Sequence, residues 1–514
     1  MEARPVDLPP LQELRFELEG QDRLLVTLVS GTAEVFGYEL APQVVYPFSD
    51  ELRGAIFTWH GCTLSLRGKA TTEYIAQETT TPLHLNLHLA LEQARLQSRP
   101  PASFFVTAQQ DQTEQDEELP GPRVMVLGER NAGKSTLIKT LLNWAIRSGN
   151  GARQDLNALP LASEEDQLGP QRGVMLVNLD PSDGAMTVPG TFSIAPVYSC
   201  VPTTTPALSF GTTYSNGPSL PIILQQPSKA DQASATEEAL IPLEVNYNTL
   251  APALNALSFF YGHTDWGRND ALAETQIKRL GAFLRSKLEE GGEPGLWRGG
   301  VLVDTPAELA ERSRGQMLIK LVRTLGVNVI VVLGSEKLQV DITRLMSTNK
   351  SVKVLRVPKS GGVSDIDNAY RRRLRAKQIH SYFYGGPTVS CGALSPHNAS
   401  ILFDYLKVYR IGADFAAPSS ALPLGQDMAS RDLRLYDIDI TESRTFPELV
   451  NHICAVLQVD DDADDEEALV SPVLGYIHLR SVDSERKRVG LLSPLAGRLP
   501  RKRLVFASLE WSES

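Results

Sequence analysis

Val124-Met125-Val126-Leu127-Gly128-Glu129-Arg130-Asn131-Ala132-Gly133-Lys134-Ser135-Thr136 decides the reading of this chain. Four apolar residues closed by a glycine read as a short buried strand. They run into a complete G-x-x-x-x-G-K-[ST] loop. Thr136 to Arg147 then reads as a helix, with apolar residues at 137, 141 and 145 and at 138, 142 and 146. Strand, glycine loop and helix in that order make a cradle for a phosphate chain. Gly128 and Gly133 let the backbone approach closely, and the helix N-terminus presents free N–H groups and a partial positive charge. Lys134 is expected to reach the β- and γ-phosphates, and the Ser135 hydroxyl to ligate Mg²⁺.

Bulk properties set the frame. At 514 residues the chain exceeds a single core, and about two to four domains are expected. No apolar run approaches the roughly 20 residues of a membrane span. The first residues, MEARPVDLPP, lack an apolar signal-peptide core. Cys62, Cys200, Cys391 and Cys454 form no C-x-x-C pair, which disfavours zinc and points to a reduced intracellular setting. A net charge of −11 disfavours a surface coated in phosphate contacts and leaves room only for a local nucleic-acid site.

Working outward, residues 1–98 read as an N-terminal β domain. Leu14-Arg15-Phe16-Glu17-Leu18 and Leu24-Leu25-Val26-Thr27-Leu28 flank the turn Gly20-Gln21-Asp22. Short strands follow at Thr32–Phe36, Gly54–Trp59 and Thr63–Leu66, so a sandwich or small barrel is expected, followed by a helix over His84–Arg95. Residues 99–121, rich in Pro, Gln and acid, read as a linker. Residues 122–388 alternate strands and helices. Val174–Leu179, Val301–Val303, Val327–Leu333 and Val352–Val357 are the strands, with helices at Ala273–Lys287 and Gly315–Leu325. That alternation predicts a parallel sheet covered by helices on both faces. Ser209–Ala239 reads as a long surface insertion. Residues 389–514 turn β again, at Ile401–Ile411, Arg434–Ile438, Val473–Ser481, Arg488–Leu492 and Arg503–Ala507. The like-charge block Asp460–Glu467 is expected to be an exposed loop. The expected fold is thus an α/β P-loop NTPase core flanked by two smaller β-rich domains.

A triphosphate site needs a further carboxylate at a neighbouring strand end. Asp180, in Leu179-Asp180-Pro181-Ser182-Asp183-Gly184, and Asp304, closing Val301-Leu302-Val303-Asp304, are the two candidates, and either serves equally well as a helix cap. Asn349-Lys350-Ser351-Val352 has only the first half of an N-K-x-D guanine motif, which disfavours a regulatory GTPase. Pro358-Lys359-Ser360-Gly361-Gly362-Val363 followed by Tyr370-Arg371-Arg372-Arg373-Leu374-Arg375-Ala376-Lys377 suggests a glycine hinge and a basic helix that closes as a lid, or else a solvated basic face.

These residues together resemble the eukaryotic polynucleotide 5′-hydroxyl kinases, in the branch that serves the pre-mRNA cleavage and polyadenylation machinery. The resemblance runs through Glu13-Leu14-Arg15-Phe16, Phe57-Thr58-Trp59-His60-Gly61-Cys62, Ala90-Leu91-Glu92, the phosphate loop, Val188-Pro189-Gly190-Thr191, Pro358–Val363 and Tyr382-Phe383-Tyr384-Gly385. The insertions at 209–239 and 460–467 resemble the fungal form. The resemblance implies a central ATPase-like module between two β domains, binding ATP with Mg²⁺. It also implies nucleotide contacts from Glu13 and Arg53 in the N-terminal domain and from Asn131, Ala132, Gly133, Lys134, Ser135 and Thr136 in the loop. Asp180 would be a base and tentative Mg²⁺ ligand, with lid arginines at Arg371, Arg372 and Arg375. Further implications are a nuclear location and, as partner, the cleavage factor IA subunit that binds the RNA polymerase II C-terminal domain. Other cleavage and polyadenylation factors would follow, with RNA met indirectly and no membrane.

Departures from the active pattern change the expected activity. Active members resemble Asp-x-Gly-Gln-Gly where this chain has Asp180-Pro181-Ser182-Asp183-Gly184. They carry an Asn-Thr-x-Gly-Trp clasp where it has Asp304-Thr305-Pro306-Ala307-Glu308, and an arginine where it has Ile366. A lost base-stacking aromatic costs on the order of 1–3 kcal/mol of binding. A lost charge-stabilising arginine costs ~10³-fold or more in rate. The expectation is an ATP-binding scaffold with little or no turnover, and the alternative an active RNA 5′-hydroxyl kinase.

Overall fold

The computed structural model describes residues 3–99, 118–157, 172–184, 186–201, 203, 204, 206, 256–290, 294–385, 395–412, 433–440, 449–494 and 502–513. The expected insertion at 209–239 and most of the expected linker lie outside them. Alternating apolar residues in the first 76 build nine strands: β1 (Arg4–Leu8), β2 (Glu13–Glu17), β3 (Leu24–Gly31), β4 (Glu34–Val35), β5 (Tyr38–Glu39), β6 (Val45–Phe48), β7 (Arg53–Phe57), β8 (Cys62–Gly68) and β9 (Thr72–Ala76). They pair antiparallel as two sheets, β1-β8-β3-β6 and β5-β4-β7-β2-β9. Leu14, Phe16, Val26, Phe48, Ile56 and Leu64 form the core of this unit. It is a sandwich, not a barrel.

Helix α1 (Thr81–Gln97) leaves the sandwich and packs on the central unit. Leu87 and Leu91 enter that unit's core, and Arg95, 1% exposed, donates Nε–H to the Gly299 carbonyl at 3.1 Å. After α1, Arg99 and Leu119 stand opposite each other. Those two residues form an antiparallel bridge, with N–H···O distances of 2.8 and 3.1 Å.

The central unit contains β10 (Arg123–Gly128), α2 (Lys134–Asn157), β11 (Val174–Asn178), β12 (Thr191–Val197), β13 (Leu257–Phe260), α3 (Asp270–Arg285), α4 (Pro294–Gly299), β14 (Val301–Asp304), α5 (Gly315–Leu325), β15 (Val329–Leu333), α6 (Glu336–Leu345), β16 (Lys353–Val357) and α7 (Asn368–Tyr384). The sheet order is β13-β12-β11-β14-β10-β15-β16. Strand β10 lies between β14 and β15, all parallel. Period-two alternation divides its side chains. Val124 and Val126 face α1 and α2, while Met125 and Leu127 face the core built on α3, α5 and α6. The expectation of a parallel sheet needs one correction, because β12 and β13 join one edge antiparallel and make it mixed. The expected helix after the loop also starts two residues earlier and runs further, to Asn157.

The C-terminal strands β17 (His397–Leu402), β18 (Tyr409–Ile411), β19 (Leu435–Asp437), β20 (Ile453–Asp460), β21 (Val473–Asp483), β22 (Arg488–Ser493) and β23 (Lys502–Phe506) form one sheet, ordered β17-β22-β21-β20-β23-β18-β19. A 3₁₀ turn at Phe403–Tyr405 breaks what reads in sequence as a single strand from Ile401 to Ile411. The expected acidic loop at 460–467 is also corrected. Strand β20 runs to Asp460, and a short helix α8 (Asp465–Leu469) follows. Asp464 caps it by accepting the Glu467 N–H at 2.7 Å, and acids in a first helical turn suit the helix dipole, so like charges here favour a helix start. One face of this sheet continues the central core without a break: Ile379, Phe383, Ile453, Tyr476, Val505 and Trp511 belong to the same cluster as Met125 and Leu127.

Candidate nucleotide site

Three parts of the chain close around a cavity of about 420 Å³. Strands β2 and β7 supply Glu13, Arg15, Glu17 and Arg53, the phosphate loop supplies residues 130–137, and the 360–375 segment supplies Gly361, Gly362, Tyr370, Arg371 and Arg375. Asp180 and Asp183 line the wall on the β11 side.

The loop has the conformation its sequence calls for. Gly133 sits at φ +90°, where a side chain would be strained, and Asn131 at φ +56°, a region asparagine tolerates. Lys134 is buried, with its ammonium capped by the carbonyls of Gly128 and Glu129, each at 3.1 Å. Burial lowers its pKa, opposed by the charges of Asp180, Asp304 and Glu308. The Asp304 carboxyl, 2% exposed, accepts the Thr305 N–H at 2.9 Å and lies close enough to Ser135 for that hydroxyl to favour its charged form. Burial drives the Asp304 pKa up to about 7, against the pull of Ser135. A cation beside Ser135 would relieve that penalty, so these groups suit a divalent ion held jointly by phosphates and protein. Ala132 is buried under the loop, and Thr136, exposed, lines the cavity from the first turn of α2.

The N-terminal contribution is heavily cross-linked. Glu13 is buried, 2.5 Å from the Arg15 guanidinium, and accepts the Thr79 hydroxyl at 2.8 Å. Arg15 also pairs with Glu78 at 2.6 Å. Arg53 donates to the Asp365 carbonyl at 3.1 Å, with its guanidinium 5.1 Å from the centre of the Tyr370 ring. Gly361 and Gly362, expected to hinge, lie beside Glu78 and Arg15. A Cβ on Gly362 would lie 2.7 Å from Arg15 Nε.

Helix α7 sets its basic residues by its own period. Arg371 reaches the Asn131 side-chain oxygen, while the Asn131 amide donates to the Ile366 carbonyl at 3.2 Å, tying lid to loop. Arg375 lines the same cavity. Arg372, expected beside them, is an exception. One residue is about 100° of turn, so it faces solvent and is not part of the wall. Asp180 Oδ1 accepts the Ser182 N–H at 2.9 Å, and Gln378 bridges Asp183 and the Gly184 N–H. Where the active pattern has a tryptophan clasp, Thr305 hydrogen-bonds the Val126 carbonyl, and Glu308 pairs with Arg130 at 3.1 Å.

Several wall residues escaped the sequence reading. Arg15 carried a usable signal, a charge at the middle of an apolar strand. Lys139, whose pKa burial lowers to about 8, carried none, and neither did Gln378, which stands behind the wall and holds Asp183. Among the described residues no cluster of three metal-ligating side chains occurs, and no helix is long and apolar enough to cross a membrane. Cys62, Cys200 and Cys454 are free thiols.

Comparison with known proteins gives a consistent picture. A family model described as the N-terminal beta-sandwich domain of polyadenylation factor matches residues 7–98. The mRNA cleavage and polyadenylation factor CLP1 P-loop model matches 240–385, and the pre-mRNA cleavage complex II protein Clp1 model matches 394–513. The mRNA cleavage and polyadenylation factor CLP1 of Laccaria bicolor is 34% identical, covering 100% of this chain and 98% of its own. The polyribonucleotide 5′-hydroxyl-kinase Clp1 of Xenopus laevis is 30% identical, covering 98% and 92%. Among solved structures, Clp1p in its complex with Pcf11p superposes with a TM-score of 0.75 at 22% identity, covering 100% of this chain and 99% of that one, which bears on the fold alone. The chain belongs to the Clp1 family of mRNA cleavage and polyadenylation factors.

Proposed function

We propose that this chain is an ATP-holding scaffold subunit of the mRNA 3′-end cleavage and polyadenylation machinery, with the nucleotide bound structurally and turned over little or not at all. The carrying observation is the three-part wall. Strand β2, the phosphate loop and the lid segment meet at one cavity, so a ligand there binds only the assembled fold and stabilises it by mass action. Lys134 and the N-terminus of α2 would hold the phosphates, and Glu13 and Arg53 would face the nucleoside. Ser135 and Asp304, with Asp180 nearby, would hold Mg²⁺, which neutralises phosphate charge when bound. The acceptor side supports low turnover. Residues 304–308 offer no aromatic to grip an RNA end, and residue 366 is an isoleucine.

The relatives' names and the fold neighbour's complex support a Pcf11-like partner. We infer that this subunit contacts the polymerase C-terminal domain, that other processing factors join, that RNA is met through them, and that the complex is nuclear.

A second reading, an RNA 5′-hydroxyl kinase, is favoured by Asp180, Arg371 and Arg375 lining one cavity. Asp180 would take the hydroxyl proton as that oxygen attacks the γ-phosphorus and ADP leaves. Denaturing the purified protein and separating what it releases tests the first reading, with stoichiometric ATP expected and an empty protein sinking it. Radiolabel transfer from γ-labelled ATP to a 5′-hydroxyl oligonucleotide tests the second. Robust transfer that disappears in Lys134→Ala would replace the scaffold by the kinase.

A further inference from the structure

Each turn of α7 is bonded to a different part of the molecule. Its cap is Asp367, which accepts the Tyr370 N–H at 2.6 Å. In the first turn Arg371 touches Asn131 of the phosphate loop. On the outer face Arg373 and Lys377 pair with Glu51 of the sandwich at 2.9 and 3.4 Å. At mid-helix Gln378, 2% exposed, accepts the Gly184 N–H at 3.0 Å and donates to Asp183. The last turn is embedded in the C-terminal sheet. There the Tyr382 hydroxyl accepts the Tyr476 N–H at 3.0 Å, Phe383 stacks on Trp511 with centroids 5.6 Å apart, and Tyr384 donates to Glu513.

This helix has reason to answer to an anion. Arg371 and Arg375 both line the cavity and stand at i,i+4, a like-charge spacing that disfavours a helix. A polyphosphate in the cavity would neutralise that crowding at its source. The other end is set in the C-terminal sheet, because Tyr382 and Phe383 belong to the core shared by the central and C-terminal units. Firming the first turn of a straight helix fixes the last one, roughly 20 Å away at 1.5 Å per residue.

We propose that α7 links nucleotide occupancy to the seating of the C-terminal sheet, with Gln378 as the residue that holds the Asp180–Gly184 loop to the helix. This rests on the nucleotide reading above. Linkage is reciprocal: if ATP firms the sheet, loosening the sheet must weaken ATP by the same factor. Gln378 is a positioning residue, acting on the cavity through Asp183 and Gly184.

The test uses the full chain, with ATP affinity measured by calorimetry and hydrogen exchange followed in β21 and β23. Saturating ATP is expected to slow exchange at Tyr476 and Ile477 of the wild type. Tyr384→Phe, which deletes one hydroxyl at the far end, is expected to weaken ATP at least about three-fold, within the usual range of such couplings. In Gln378→Leu, ATP at saturation no longer protects β21. Tyr405→Ala, an exposed position in the C-terminal unit at 79%, serves as control and changes neither readout. The proposal is overturned if ATP at saturation leaves exchange in β21 and β23 unchanged, or if Tyr384→Phe binds ATP within two-fold of wild type. A wild type that fails to bind ATP in the first titration overturns the nucleotide reading itself, before any variant is compared.

Discussion

The Arg373 guanidinium on α7 lies 2.9 Å from the Glu51 carboxylate of the N-terminal sandwich, and the Lys377 ammonium approaches the same carboxylate at 3.4 Å. Glu51 holds its position in left-handed backbone at φ +61°, while Arg373 is half exposed. Partly exposed pairs contribute under about 1 kcal/mol each and are screened by salt. Glu51→Ala is therefore expected to weaken ATP by about two- to five-fold at low salt. The difference from wild type should narrow at high salt, read by titration at both.

The two lid glycines should respond differently to a methyl group. On Gly362 it would meet Arg15 Nε at 2.7 Å, and Arg15 is pinned by Glu13 and Glu78. On Gly361 it would meet Glu78 Oε1 at 2.6 Å, the end of a 68% exposed side chain that can shift at the cost of its own ion pair with Arg15 while Glu13 still holds that arginine. Gly362→Ala is expected to lower ATP affinity by about ten-fold, equivalent to 1.4 kcal/mol. Gly361→Ala should stay within about two-fold, and equal losses in both would contradict this packing account.

Asp304 should govern the magnesium dependence of binding. It is the carboxyl the fold sets against Ser135. In Asp304→Asn, ATP should bind about equally with Mg²⁺ and with EDTA, whereas the wild type should bind more tightly with the metal. A variant that keeps the metal increment would move the cation to Asp180.

His478 makes the C-terminal sheet acid-labile. It is buried 4.8 Å from the Trp511 ring, and burial pushes its pKa from 6.5 down to about 4. The folded pKa lies below the unfolded one, so the fold favours the neutral ring. Its contribution is complete above about pH 6.5 and is lost as pH falls from there toward 4. The melting temperature should drop through that window, and His478→Leu should make the drop shallower. His84, His88 and His263, also held near 4 by burial, keep the slope from vanishing.

The phosphate loop was legible because its chemistry is local: strand, glycines and helix are contiguous, and no distant residue is needed to place them. The choice between Asp180 and Asp304 was not legible, since both follow apolar strands. Sheet order is what supports Asp304 in the reading proposed above, because β14 is the direct neighbour of β10 and β11 lies one strand further out. Strand β12 escaped because Pro196 interrupts an otherwise alternating run, and β20 because it ends in the acidic block. Glu13 and Arg53 were singled out only through family resemblance, because a surface charge and a cavity-lining one look alike in sequence until the domains meet. Arg372 was overcalled by treating a basic run as one face when a helix spreads it over several.

The bridge between Arg99 and Leu119 pins together the two ends of the stretch it brackets. Its two hydrogen bonds fix the exit from α1 and the approach to β10 at a single point, whatever lies between. Doubling the length of such an excursion adds only about 0.6 kcal/mol of closure entropy. Relatives are therefore free to lengthen, shorten or rewrite this segment without disturbing the nucleotide cavity, and an epitope or fluorophore inserted there should leave it intact.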